Sequence, residues 1–273
     1  MTHQEFQHLI AEKGQELFRP MPWRLAEPNG TFNAYKIVVS ELMLQQTQVS
    51  RVMPKFEQFI GLFPDVGSLA AAPLAAVLMA WSGLGYNRRA KYLHEAAKQL
   101  AGRPEPWSLE VLLACKGVGP NTARAVVTYV YNQPEIFIET NIRTVFIYHF
   151  FSDDSKVNDA QIIALLTDAI DRKAPRQWYW ALMDYGAYLK VSAGNAAAKS
   201  QSYKKQSKFA GSLRQIRGAV VLSLAKSPLK ASAFAAFGTP ETIQTVLDAL
   251  CVEGLIHQSK GRYYLGAPTE VAV

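Results

Sequence analysis

Helical periodicity constrains this chain more than any other feature. Through most of the chain, apolar residues recur three or four positions apart, with Gly, Pro, Ser and Asn between the runs and few segments alternating at the period of a strand. The pattern predicts helices over Gln4–Leu17, Tyr35–Gln46, Val49–Leu62, Leu74–Ser82, Asn87–Ala101, Leu109–Cys115, Asn121–Tyr131, Asn141–Phe151, Asp159–Arg172 and Arg176–Leu189. After Leu189 the periodicity lapses into a polar stretch, then resumes at Leu213. Two further helices, Leu213–Ala225 and Pro240–Glu253, flank a short one near Lys230–Phe237. A hairpin over 255–265, turning at Lys260 and Gly261, follows. The expected class is all-α, with a large domain at 1–192, a basic linker at 193–211 and a winged-helix-like module at 212–273. Winged helices bind DNA or serve as packing and protein contacts, so the order of elements leaves both open.

The 273 residues suffice for a sizeable core, and 49% of them are apolar. Lys and Arg outnumber Asp and Glu by 29 to 22, a formal charge of +7 that favours polyanionic partners. Two cysteines, Cys115 and Cys251, can build neither a disulfide framework nor a four-thiolate cluster. A reducing, cytoplasmic location is expected, since no apolar run reaches membrane length and the N-terminus does not read as a leader. A monomer is the default expectation.

The run Cys115-Lys116-Gly117-Val118-Gly119-Pro120-Asn121-Thr122-Ala123 joins two expected helices through a turn with two glycines. Glycine suits positive-φ turn positions and leaves backbone N–H groups uncovered. With the helix N-terminus beginning near Asn121, those amides can hold one DNA phosphate, with a monovalent cation on the backbone of 115–119. The same turn also serves elsewhere as a plain connection.

Around it lie Pro22-Trp23-Arg24, the string Ser40-Glu41-Leu42-Met43-Leu44-Gln45-Gln46-Thr47-Gln48-Val49, and Trp81-Ser82-Gly83-Leu84-Gly85-Tyr86-Asn87-Arg88-Arg89-Ala90. In order and spacing these resemble the A/G-specific adenine glycosylases of the MutY type, within the helix-hairpin-helix superfamily that includes endonuclease III. The resemblance covers roughly Met21 to Lys190. It implies two helical lobes with a DNA cleft between them, double-stranded DNA as the partner, and hydrolysis of the bond between a flipped base and deoxyribose.

Glu41 has apolar neighbours in Ile37, Val38 and Leu44, an environment expected to raise its pKa. It matches the family's catalytic glutamate, suited to protonating a departing purine. Glu139 follows the apolar run Ile136-Phe137-Ile138 and precedes a helix that Thr140 or Asn141 could cap, where the helix dipole would favour the anion. A fixed carboxylate beside the sugar would stabilise an oxocarbenium-like transition state. The family ordinarily has aspartate here, and the extra methylene puts either the pocket's fit or its rate in question. Asn121 stands where bifunctional relatives carry a nucleophilic lysine, which implies hydrolysis without strand cleavage. Lys116 reads as a phosphate contact. The resemblance further makes Gln46 the wedge that fills the flipped base's place, Tyr86 the intercalating aromatic, and Arg24 and Asn141 polar groups of the base pocket and catalytic centre.

Beyond Met183-Asp184-Tyr185-Gly186-Ala187 the four cysteines of the family's iron–sulfur cluster are missing, so no cluster and no other cofactor is expected. Lys199, Lys204, Lys205, Lys208, Arg214 and Arg217, interleaved with Tyr203 and Phe209, read either as replacement phosphate contacts or as a solvated linker. The residues after the linker do not match the family's lesion-recognising domain. Adenine opposite 8-oxoguanine or guanine is the leading substrate. A thymine or uracil mismatch glycosylase and a non-catalytic DNA-binding protein are the alternatives.

Overall fold

The computed structural model describes residues 1–205 and 208–268. Parts of the linker at 206–207 and of the C-terminal module at 269–273 lie outside the described residues. The chain is mostly helical: α1 (His3–Glu16), α2 (Ala34–Leu44), α3 (Val49–Leu62), α4 (Val66–Ala71), α5 (Leu74–Trp81), α6 (Arg88–Leu100) and α7 (Leu109–Ala114) come first. Then follow α8 (Pro120–Tyr131), α9 (Thr140–Phe150), α10 (Asp159–Ala169), α11 (Pro175–Ser192), α12 (Leu213–Leu224), α13 (Pro240–Val252) and the strands β1 (Ile256–Ser259) and β2 (Arg262–Leu265). No described helix is long and apolar enough to cross a membrane.

Two compact units emerge. The first comprises Met1–Val38, Pro106–Leu113 and Gly119–Lys205. Its core is aromatic: Phe6 of α1 meets Phe146 and Phe150 of α9 edge-on, at centroid distances of 5.1 and 5.0 Å. The Phe137 and Tyr179 rings stack at 4.0 Å. Small residues let α11 approach its neighbours, because a Cβ on Gly186 would lie 2.3 Å from the Asn141 carbonyl oxygen of α9. The polar stretch expected as a linker is docked here over its first part. Ser200 is buried and pairs with Val157, whose N–H donates to Lys199 O at 2.9 Å and whose carbonyl accepts from Gln201 N at 2.9 Å. The amphipathic period could not show this, since the segment pairs by backbone rather than by an apolar stripe.

The second unit comprises Val39–Glu105, Ala114–Val118 and the described C-terminal residues 208–268. Phe59 of α3 packs on Phe63 and on Trp81 of α5. The C-terminal residues form α12, a 3-10 turn at Ala231–Phe237, α13 and the antiparallel pair β1–β2, with Ile256 opposite Leu265 and Ser259 opposite Arg262. Lys260 (φ 46°) and Gly261 (φ 70°) make the turn, as the positive-φ demand of a two-residue hairpin requires. Leu229 pairs with Tyr263 in both directions, at 3.1 and 2.7 Å, adding a third short extended segment to the wing. The wing rests on α5, where Gly266 (φ +83°) leaves only 3.2 Å between its would-be Cβ and Ala75 N.

Candidate active site

In the first unit, Glu139 is itself the N-cap of α9 (φ −127°, ψ 171°), and its side chain makes no capping bond. This corrects the expectation that Thr140 or Asn141 caps the helix. The electrostatic expectation changes with it: burial pushes the Glu139 carboxyl upward, and Arg143 one turn along opposes that only in part. Arg143 is already committed, donating from Nε and Nη2 to both oxygens of Asp159 at 2.8 and 2.6 Å. That fork holds the Asp159 carboxyl below the usual range, and Ser202 Oγ adds a bond to it at 3.0 Å. Desolvation therefore dominates at Glu139, and Arg143, the charge that opposes it, is shared with Asp159.

Asn121, exposed at the start of α8, donates from Nδ2 to the carbonyl of Ile138 at 2.8 Å. It thus fixes the backbone immediately before Glu139. Asn141, on the first turn of α9, donates to the Met183 carbonyl at 3.0 Å. Arg24 is buried, with Nη1 2.7 Å from Asp184 Oδ2 and its guanidinium 5.4 Å from the Trp180 ring centre. Arg19 takes the other oxygen of Asp184 at 2.6 Å. Sequence reasoning missed Asp184 as an anchor. The signal was a carboxylate among Trp180, Ala181 and Leu182 on an apolar helix, which must find a cation when buried.

In the second unit, Glu41 is half-buried near the end of α2, on a helix whose Ile37 and Val38 are buried. The helix stops at Leu44, two residues before the expected end at Gln46. Gln46 is exposed and left-handed (φ 56°), and Tyr86 adopts the same unusual conformation (φ 50°). Two non-glycine residues at positive φ store strain that something must hold. Arg89 does so. Its Nη1 donates to the carbonyls of Leu42, Met43 and Gln45 at 2.8, 2.9 and 2.6 Å. Its Nη2 reaches Thr47 Oγ1, Leu84 O and Gly85 O at 3.0, 3.3 and 3.1 Å. One buried guanidinium so ties the C-terminal end of α2 to the turn carrying Tyr86, whose ring centre lies 5.4 Å away. Burial pushes its pKa down to about 10. The sequence offered only an Arg-Arg doublet, with nothing to mark which one turns inward.

At the hairpin between α7 and α8, Gly117 has φ +85°, and a Cβ there would fall 2.5 Å from Tyr92 Cβ. Gly119 instead has φ −80°, so the positive-φ expectation holds for one glycine and not the other. A Cβ on Gly119 would meet nothing within 4 Å, leaving its backbone approachable. Val118 is buried and its N–H closes the turn onto Cys115 O at 3.1 Å. Lys116 is exposed, with its ammonium 5.7 Å from the Tyr92 ring centre. Lys204 and Lys205 are exposed as well. Lys199 instead donates to the Ser152 carbonyl, an internal tie rather than an open phosphate contact.

The hairpin between two helices, followed by a desolvated carboxylate at the N-cap position of α9, is the arrangement expected of the helix-hairpin-helix DNA N-glycosylases, and comparison with known proteins places the chain in that class. Residues 39–168 match the HhH-GPD superfamily base excision DNA repair proteins. The adenine DNA glycosylase of Mycolicibacterium smegmatis is 34% identical over 284 aligned positions, covering 92% of this chain and 93% of that protein. Among solved structures, a thermostable thymine-DNA glycosylase aligns with a TM-score of 0.59 at 20% identity, covering 68% of this chain and 86% of that one. A trapped endonuclease III–DNA covalent intermediate aligns with a TM-score of 0.55 at 18% identity, over 69% and 87%. Those two likenesses establish the fold. The sequence kinship goes further, and the chain belongs to the adenine DNA glycosylase family within the HhH-GPD superfamily.

Proposed function

We propose that this enzyme removes adenine facing 8-oxoguanine or guanine in duplex DNA, by hydrolysis and without cutting the strand. The observation that carries the hydrolytic reading is Asn121: at the position of the amine nucleophile stands a carboxamide that donates to the Ile138 carbonyl beside Glu139. Kinship with adenine glycosylases supports the choice of base.

In this reading the hairpin backbone at Gly117 and Gly119, with Lys116, grips a phosphate, and carbonyls of 115–119 accept a monovalent cation. Lys204 and Lys205 add charge along the strand. Tyr86 intercalates and Gln46 fills the space of the flipped adenine, for an unstacking cost of a few kcal/mol. Glu41 protonates the adenine ring as the bond from C1′ to nitrogen breaks. The Glu139 anion stabilises the positive charge that develops on the sugar, and water completes the hydrolysis. Asn121 and Asn141 hold the backbone on either side of Glu139, while Arg24 and Asp184 fix the helix that Asn141 leans on.

End-labelled duplexes carrying A opposite 8-oxoguanine, A opposite G, T opposite G or U opposite G test the reading, each with and without later alkali. Breaks that appear only after alkali, and only on the adenine duplexes, are expected. Cleavage confined to the pyrimidine mismatches would overturn the adenine assignment, and breaks without alkali would overturn the hydrolytic one.

A further inference from the structure

We propose that the C-terminal module carries the specificity for the base left behind when adenine is flipped, with Arg214 and Arg217 of α12 reading the acceptor edge of a guanine-type base. The inference rests on the assignment of Gln46 and Tyr86 as the groups that open the duplex. A base opposite the flipped adenine must then lie beside them.

Beside them, within the second unit, is a cavity of about 520 Å³. Gln46, Tyr86 and Gly117 line it from the glycosylase part of the chain, and Arg214, Arg217 and Glu253 line it from the C-terminal module. Its size falls in the range that takes a small organic ligand. Arg214 is joined to the intercalating tyrosine itself: Nη1 donates to Tyr86 Oη at 2.7 Å, and the guanidinium lies 5.8 Å from the ring centre. Arg217 is aimed by Glu253, which also binds Arg88 at 2.6 Å. Lys91 Nζ secures the same corner by donating to the Glu253 carbonyl at 2.7 Å. One carboxylate thus orients two arginines, and the wall stays net positive.

The placement does not serve α12. Arg214 sits in the helix's first turn, which contains no acidic residue, and a cation there opposes the helix dipole. The donor chemistry then selects the base. A guanidinium fork donates and cannot accept, so it matches guanine, which offers O6 and N7 side by side; the 8-oxo form carries a proton on N7 and takes single bonds from the arginines at O6 or O8. Adenine and cytosine present an amino donor on that edge, and thymine presents one carbonyl. From the sequence these arginines read as phosphate contacts or linker charge. The fold places them in α12, with Arg214 on Tyr86 and Arg217 on Glu253.

The test measures affinity for duplexes with an uncleavable abasic analogue opposite either G or C, and the excision rate of A opposite G or C, for wild type, Arg214→Met and Arg214→Lys. The wild-type preference for G is expected to fall on the order of ten- to a hundredfold in Arg214→Met, as for loss of a bidentate base contact. Arg214→Lys keeps the charge without the fork and is expected to lose most of the preference while retaining overall affinity. An unchanged G-to-C ratio overturns the inference. So does a uniform loss on both duplexes with a shallower salt dependence, the mark of a phosphate contact. If wild type excises no adenine yet its G preference in binding depends on Arg214, the adenine assignment fails while the opposing-base site stands.

Discussion

Replacing Arg89 by methionine keeps roughly its length and apolar stem while removing the charge and all donors. Three of its bonds, to the carbonyls of Leu42, Met43 and Leu84, are buried. Leaving three such acceptors unsatisfied at about 2 kcal/mol each costs about 6 kcal/mol. Against this, the charge itself is poorly solvated where it sits. Its pKa of about 10, compared with about 12.5 for an ordinary arginine, corresponds to about 3 kcal/mol that the neutral side chain recovers. The net loss is about 3 kcal/mol if the turns stay in place. If Gln46 and Tyr86 relax from their left-handed conformations, each returns about 1 kcal/mol, and the loss shrinks to about 1 kcal/mol. That relaxation appears elsewhere, because two side chains must then be reordered on DNA at about 0.5–1.5 kcal/mol each, weakening binding about five- to a hundredfold. Urea denaturation measures the first quantity and titration of an abasic duplex the second. If Arg89→Met matches wild type in both stability and affinity, Arg89 does not hold the wedge turns, and the reasoning is wrong.

Two further outcomes follow from the first unit. Glu139→Gln is expected to abolish most excision and yet to stabilise the fold near neutral pH. Its folded pKa lies above the unfolded value, so the buried carboxyl costs stability as pH rises through the folded pKa. For the same reason wild-type single-turnover excision is expected to fall toward acid through a limb above the ordinary carboxylate range. A variant less stable than wild type at pH 7.5, or a limb at or below the free-glutamate value, contradicts the burial argument. Gly186→Ala places a Cβ 2.3 Å from the Asn141 carbonyl, and backbone must move to admit it. A loss of about 3 kcal/mol is expected, equivalent to a fall of roughly 6–12 °C in melting temperature, and calorimetry within a degree or two of wild type would show that α9 and α11 tolerate separation.

Much of this protein was written locally. The apolar period located ten helices of the glycosylase portion to within a few residues, and missed α4, whose six residues are too few to display a period. Lys260-Gly261 announced its own turn, and Gly117 its positive φ, because those conformations depend on one or two residues. The string from Ser40 to Val49, with Tyr86 and the hairpin, resembles adenine glycosylases on its own, since a motif at fixed spacing does not depend on what lies across from it.

What tertiary structure alone decided are the partners. Asp184 meets Arg19 and Arg24 across some 160 positions, and Arg214 meets Tyr86 across 128. Arg88 and Arg89 are identical neighbours, yet Arg89 is buried among carbonyls and Arg88 is exposed on Glu253. Even the sign of the shift at Glu139 could not be read from its place before a helix, because it depends on how dry its surroundings are and on Arg143 being already engaged by Asp159. The sequence determined which elements form and which turns join them, for these follow from a residue and its near neighbours. Which charges are buried, what they hold and what they leave free depend on groups brought together only when the chain has packed.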